Sequence, residues 1–204
     1  MLHNLRYSLF LATLFVLATI FSFSQEQENK IRFGGRVANA TNLFLEGENL
    51  SLGGYGFGFA IGPVASIPIL NIITFNPEIN LIYREFNMLH GDAFMSEIAI
   101  SFPALFQYMP FGGPLFYVET GIQLDISLSR NIDNSGYGSY SYRDAFLGIP
   151  FGIGWHIGRH FVIDYRMVID LFAYGESRYG DYGYEPEYEK LGLIQEELSL
   201  LYLF

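Results

Sequence analysis

The sequence predicts an all-β protein, an eight-stranded antiparallel up-and-down transmembrane β-barrel. Three observations carry this. Apolar residues alternate with small or polar ones at period two in eight stretches, the mark of strands with two unlike faces. The connections between them alternate long and short, as in an even-stranded barrel with both termini at one end. Aromatic residues gather at the ends of the apolar faces, where a bilayer meets water.

The composition fits a single domain set in lipid. Of 204 residues, 50% are hydrophobic and 18% aromatic, 22 are glycine, and only 16% are charged, against about 25% in ordinary soluble domains. There is one long apolar run, residues 9–23, preceded by Arg6 and no acid. It is shorter than the roughly 20 residues of a spanning helix. Ser22-Phe23-Ser24 sets small residues two apart before the polar Gln25, the layout of a cleaved secretory signal, with an uncleaved anchor helix as the alternative. Residues 1–24 are therefore expected to be a signal peptide and 25–204 the barrel domain. With no cysteine, disulfides, thiolate metal sites and a lipidated N-terminal cysteine are excluded. A net charge of −10, one unit more negative without Arg6, argues against nucleic acid as a partner.

In chain order, the first strand is expected over residues 30–40, with Phe33, Gly35 and Val37 on one face and Arg32, Gly34 and Arg36 on the other. Residues 41–52 read as a loop. The second strand, 55–67, sets Tyr55, Phe57, Phe59 and Ile61 against glycine and alanine; 68–72 is a turn. The third, 73–86, sets Phe75, Ile79, Leu81 and Tyr83 against Asn76, Glu78 and Arg84, and 87–94 is a loop. The fourth, 95–108, sets Ile98, Phe102, Phe106 and Tyr108 against Glu97, Ser101 and Gln107; residues 110–114 turn. The fifth, 116–128, alternates Phe116, Val118, Ile122 and Leu124 with Tyr117, Glu119, Gln123 and Asp125. A long polar loop is expected at 129–143. The sixth strand, 144–157, sets Leu147, Phe151 and Trp155 against glycines and His156, and 158–160 is the shortest turn. The seventh, 161–174, sets Phe161, Ile163 and Tyr165 against Asp164, Arg166 and Asp170. Residues 175–190 read as the longest loop. The eighth strand, 193–204, ends on Tyr202-Leu203-Phe204. Its register turns Tyr202, Leu200 and Leu198 outward and Ser199, Glu197 and Gln195 inward, and it also turns Glu196 toward lipid unless that residue lies at the outer headgroup boundary, about 20 Å up from Phe204.

Each apolar face runs about 9–11 residues, the length a tilted strand needs to cross a bilayer. A soluble barrel or sandwich would instead carry a polar outer face. Here the second face is Gly, Ser, Asn, Glu and Arg with almost no Lys, which suits a narrow lumen where small residues make room for large ones. Pro63, Pro77, Pro103 and Pro150 lie inside strands, so bulges or breaks are expected near them, and the registers there are left open.

With the strands placed, the chain resembles the outer-membrane β-barrel domain family, the porin-like and PorT-like barrels, and more broadly the small OmpA/OmpX-type barrels of Gram-negative cell envelopes. The resemblance rests on Arg32-Phe33-Gly34-Gly35, Asn76-Pro77-Glu78-Ile79, Tyr117-Val118-Glu119-Thr120-Gly121, Asp164-Tyr165-Arg166 and the terminal Phe204. It implies localisation in the outer membrane, and it makes Phe204 part of the C-terminal signal read by the outer-membrane assembly machinery. No peptidoglycan-binding domain is expected to follow, unlike in longer OmpA-type proteins.

The expected lumen polar network is Arg32, Arg36, Glu78, Arg84, Glu97, Glu119, Asp125, Asp164, Arg166, Asp170 and Glu197. Glu78 and Glu97, on adjacent strands, are placed where they could meet, as could Glu119 and Arg166 across so narrow a barrel. Buried charges must be paired, so the set reads as a salt-bridged plug; the alternative is a narrow channel for ions or small solutes. The membrane-interface aromatics at the short-turn end are Phe75, Phe106, Tyr108, Phe116, Trp155, Phe161, Tyr202 and Phe204, with Tyr55, Tyr83 and Tyr174 at the other. Loop contact candidates are Tyr137, Tyr140, Tyr142, Tyr179, Tyr182 and Tyr184, set among Gly and Ser. Since some related small barrels modify lipid A, His90 beside Asp92, with Ser96 and Glu97 near, is the one candidate for an enzymatic site; His156 and His160 fall at the wrong end. No catalytic residue, metal site or cofactor is expected, and the acids at 176–189 lack calcium-loop spacing. The function expected is non-enzymatic, structural or binding, with outer-membrane lipid, the assembly machinery and an extracellular ligand as partners.

Overall fold

A computed structural model describes residues 30–46, 51–88, 93–110, 115–134, 139–172, 175–179 and 187–204. The expected signal peptide lies outside these. The period-two stretches form strands β1 (Arg32–Glu46), β2 (Ser51–Leu70), β3 (Ile73–Pro77), β4 (Asn80–Met88), β5 (Ala93–Tyr108), β6 (Phe116–Asn134), β7 (Ser139–Tyr142), β8 (Ala145–Ile157), β9 (Phe161–Asp170), β10 (Gly175–Tyr179) and β11 (Glu187–Leu203). All pairings between them are antiparallel.

Eight of these segments and segment pairs make a closed wall. β3 and β4 are two halves of one strand: both lie between β2 and β5, and Pro77↔Ala104 and Asn80↔Ser101 keep one register across the gap. The wall runs β1, β2, β3/β4, β5, β6, β8, β9, β11. It closes where β11 pairs with β1 from Gly34↔Leu203 to Glu46↔Leu191. Closure leaves no unpaired edge in the wall, which a sheet in lipid requires. The strands are staggered as they must be to close. A path along paired residues leaves Gly34 for Val64, Glu78, Pro103, Gln123, Gly148 and Asp170, and comes back onto β1 at Phe44, opposite Leu193.

The connections at one end are shorter than expected, because the strands continue past the apolar band. Residues 41–46 and 51–52 are strand, so only 47–50 lie outside the described residues there. β6 continues to Asn134, paired with Ala93. Within the expected loops, β10 pairs with both β7 and β11. The seventh strand ends earlier than expected, at Asp170, before a bend at Leu171 and Phe172.

The prolines act in three ways. Pro77 breaks its strand, and the backbone amides of Glu78 and Ile79 bond the carbonyls of Pro103 (2.9 Å) and Pro63 (3.2 Å) instead. Pro150 interrupts the ladder to β6 between Thr120↔Phe151 and Gln123↔Gly148 without a slip. Pro63 and Pro103 sit in unbroken register with Gly35 and Gln123. The register shifts fall elsewhere: near Phe44/Leu45 opposite Gly53, near Ile98/Ala99 opposite Leu128, and between Pro68 and Leu70. The tight turn between β8 and β9 uses Gly158 at φ 67°, a conformation that suits a residue without Cβ.

Outward positions are apolar along each strand, among them Phe59, Ile61, Phe102, Ile122, Phe151 and Leu198, all more than a third exposed. Inward positions hold the buried residues, most of them polar in the middle of the wall.

Candidate functional site

The barrel interior holds three layers of side chains. At the short-turn end Val64, Met109, Tyr117, Val162, Leu201 and Leu203 pack as one apolar cluster. At the long-loop end Phe44, Phe86, Met95, Phe146 and Leu193 form a second, with Tyr142 against it. The charged residues lie between and among them.

Arg166 of β9 is the centre. Its Nε donates to Glu119 Oε1 of β6 at 2.8 Å. Its two terminal nitrogens meet both oxygens of Glu78, at 3.0 and 3.3 Å, the forked geometry that guanidinium and carboxylate share. Asp164 lies at 3.3 Å and Glu197 at 3.8 Å. Glu78, between β3 and β4, is four strands from β9 in the eight-strand wall, so the Glu78–Arg166 pair joins opposite walls. Arg36 adds a bond to Glu197 and approaches Glu78 at 3.7 Å. Neutral donors complete the layer: Asn80 to Glu78 (2.9 Å), Gln107 to Glu119 (3.0 Å), and Ser199 and Tyr117 to Asp164.

Two glycines of β8 make this possible. In register, Gly152 stands between Glu119 and Arg166, and Gly154 between Tyr117 and Asp164. A Cβ on Gly152 would lie 2.7 Å from Glu119 Oε1, and one on Gly154 2.2 Å from Tyr117 Cζ. The long side chains of β6 therefore cross β8 over bare backbone to reach β9.

Nearer the loop end, Arg84 bonds Asp125 (2.5 Å), approaches Glu97 (3.7 Å) and lies 4.7 Å over the Phe146 ring. Asp170 sits at the same level and accepts from the Leu193 backbone. Arg130, which the sequence placed in a loop, bonds Glu97 at 2.6 Å and lies 5.2 Å over the Tyr142 ring. The bulge at Leu128 turns it inward, opposite Glu97. The inward apolar residues Phe44, Met95, Phe146 and Leu193 were also missed; they occur where the sequence is apolar on both faces, so alternation gives no signal.

The charges named from sequence divide as follows. Arg36, Glu78, Arg84, Glu97, Glu119, Asp125, Asp164, Arg166 and Glu197 are buried inside, and Asp170 is partly buried. Arg32 sits at the short-turn mouth, bonding the Arg159 carbonyl at 2.9 Å. Glu119 and Arg166 meet, but Glu78 and Glu97 do not: register sets Glu97 opposite Arg84, while Glu78 faces Arg166. The interface aromatics pair across strands, Phe75 with Phe106 (5.1 Å), Phe116 with Trp155 (5.4 Å) and Phe161 with Tyr202 (5.1 Å), with Phe204 5.3 Å from Tyr202. Tyr108 is exposed beside them, and Tyr55 and Tyr83 are exposed toward the other end.

Among the loop tyrosines, Tyr142 packs its ring against the internal cluster. Tyr140 and Tyr179 lie on β7 and β10. Tyr137, Tyr174, Tyr182 and Tyr184 lie outside the described residues, as do His90 and Asp92. Glu97, their suggested partner, is held inside by Arg84 and Arg130. His156 is buried near Tyr117, with ring centroids 5.6 Å apart, and His160 Nδ1 lies 2.7 Å from the Leu203 carbonyl. Among the described residues no group of three His, Cys, Asp or Glu is arranged to hold a metal.

Solved structures resemble the chain in fold. Neisserial surface protein A matches at a TM-score of 0.50 with 12% identity, over 83% of this chain and 97% of that one. Ail, the attachment invasion locus protein of Yersinia pestis, matches at 0.46 with 11% identity, over 86% and 99%. AlkL in lipid bilayers matches at 0.46 with 11% identity, over 88% and 93%. At such identities the first likeness speaks for the fold alone. No curated protein sequence matches the chain. The family model described as "Outer membrane protein beta-barrel domain" matches residues 23–172. A closed antiparallel wall and an apolar outer band are what that family's setting demands, and the chain belongs to it, as a β-barrel of the Gram-negative outer membrane.

Proposed function

We propose that this protein is a non-enzymatic barrel with a lumen closed by its own side chains, acting structurally or as a binding protein through its outer loops. One observation carries the reading. Arg166 and Glu78, from opposite walls, bond directly at 3.0 Å, and packed apolar clusters lie above and below them. Eight strands enclose a space only wide enough for side chains, and buried side chains occupy it near both ends and across its middle. The loop end supports the second half of the reading, because β6, β7, β10 and β11 carry the connections beyond the apolar band. The engagement of Glu97 with two arginines weighs against a lipid-modifying site built around His90.

Planar-bilayer recording on the purified protein tests this. The reading predicts no discrete conductance steps above the bare bilayer. Reproducible unitary openings would replace it with the narrow-channel alternative.

A further inference from the structure

The outward face is apolar over most of the wall, but not on the seam where β11 closes on β1. Glu196 stands directly opposite Thr41, and Leu198 opposite Asn39. On the other side of β11, Tyr165 is paired with Leu198 and hydrogen-bonds its hydroxyl to the Glu196 carboxylate. Asn39, Thr41 and Tyr165 are exposed and Glu196 partly so, while its chain neighbours Gln195 and Glu197 are buried in the lumen. Glu196 therefore points at the membrane. Along the strands the patch is bounded by Ile194 and Leu43 on one side and by Leu198 and Val37 on the other. It thus lies inside the apolar band rather than at the headgroup boundary.

Lipid tails offer a carboxylate nothing, and polar groups at this depth are partnered by protein. The patch holds its own complement: a carboxylate with further acceptor capacity on β11, an amide and a hydroxyl on β1. A two-fold axis along the membrane normal keeps levels equal and exchanges β1 with β11. It sets Glu196 of one copy at the level of Asn39 and Thr41 of the other. Below the patch, β1 presents Gly35 and Val37, which let a second wall come close.

We propose that the β1–β11 seam is the interface of a homodimer in the membrane, with Asn39 and Thr41 of each copy bonding Glu196 of the other. This goes beyond the plugged-barrel reading and does not depend on it.

The absence of cysteine makes the test simple. Single-cysteine variants Val37→Cys, on the seam, and Ile122→Cys, on the far wall, are treated in outer membranes with a short bis-maleimide. Wild-type protein is followed by sedimentation equilibrium in density-matched detergent. The expected results are a dimer of wild type, cross-linking from Val37→Cys only, and roughly tenfold weaker dimerisation on Glu196→Leu, with Glu196→Gln close to wild type. Glu196→Leu should keep the heat-dependent gel shift of a folded barrel. A wild-type monomer at all concentrations overturns the proposal. Equal cross-linking from Ile122→Cys overturns it, and so does capture of a different protein by Val37→Cys.

Discussion

Gly154 has no side chain, yet it governs how a tyrosine and an aspartate meet. The Tyr117 ring lies where its Cβ would be, and the Tyr117 hydroxyl reaches Asp164 at 3.3 Å only by crossing it. Overfilling a packed interior costs about 1–3 kcal/mol. We therefore expect Gly154→Ala to destabilise the barrel by about that much in urea titrations from liposomes. In a Tyr117→Ala background the same alanine should cost little; equal costs in both backgrounds would mean that the ring does not lie over β8. Glycines in this chain were legible as small residues for a narrow lumen. Which glycine serves which long side chain was not, because that depends on register across three strands.

At the scale of the strand, parity is the information that alternation supplies, and a bulge is what defeats it. Reading β6 at period two correctly turns Glu119, Gln123 and Asp125 inward. The extra residue at Leu128 then swaps the faces, and Arg130 comes inward opposite Glu97. Nothing in Ser127-Leu128-Ser129 announces this. The prolines, by contrast, do announce themselves: Pro77 breaks its strand and Pro150 a ladder, while Pro63 and Pro103 only lend carbonyls to the break. Deleting Leu128 alone should be tolerated, since Ser129 and Arg130 keep their partners Ile98 and Glu97. Deleting Leu128 and Ser129 together turns Arg130 to the outer face and leaves Glu97 one partner short, a loss of about 2–4 kcal/mol by the same titration. Equal stability of the two deletions would argue against the bulge.

For the whole molecule, wall count, closure and orientation of faces were legible, because lipid outside and a narrow lumen inside impose one pattern on every strand. The heights of the strands were not: β6 and β11 run well past the band, and only the pairing of β6 with β5 and of β11 with β10 reveals it. Nor was the pairing of the charges, since the partner of Arg166 on the opposite wall is 88 residues away in sequence. Four carboxylates surround that one guanidinium. Removing it would leave buried charge without compensation, at about 3–5 kcal/mol.

The most direct measurement of a closed lumen is a double-mutant cycle across it, with Glu78→Ala, Arg166→Ala and the pair unfolded by urea in lipid vesicles. A direct bond between opposite walls predicts a coupling energy of about 1.5–3 kcal/mol. Additivity within about 0.5 kcal/mol, the behaviour of separate sites, would contradict the plug.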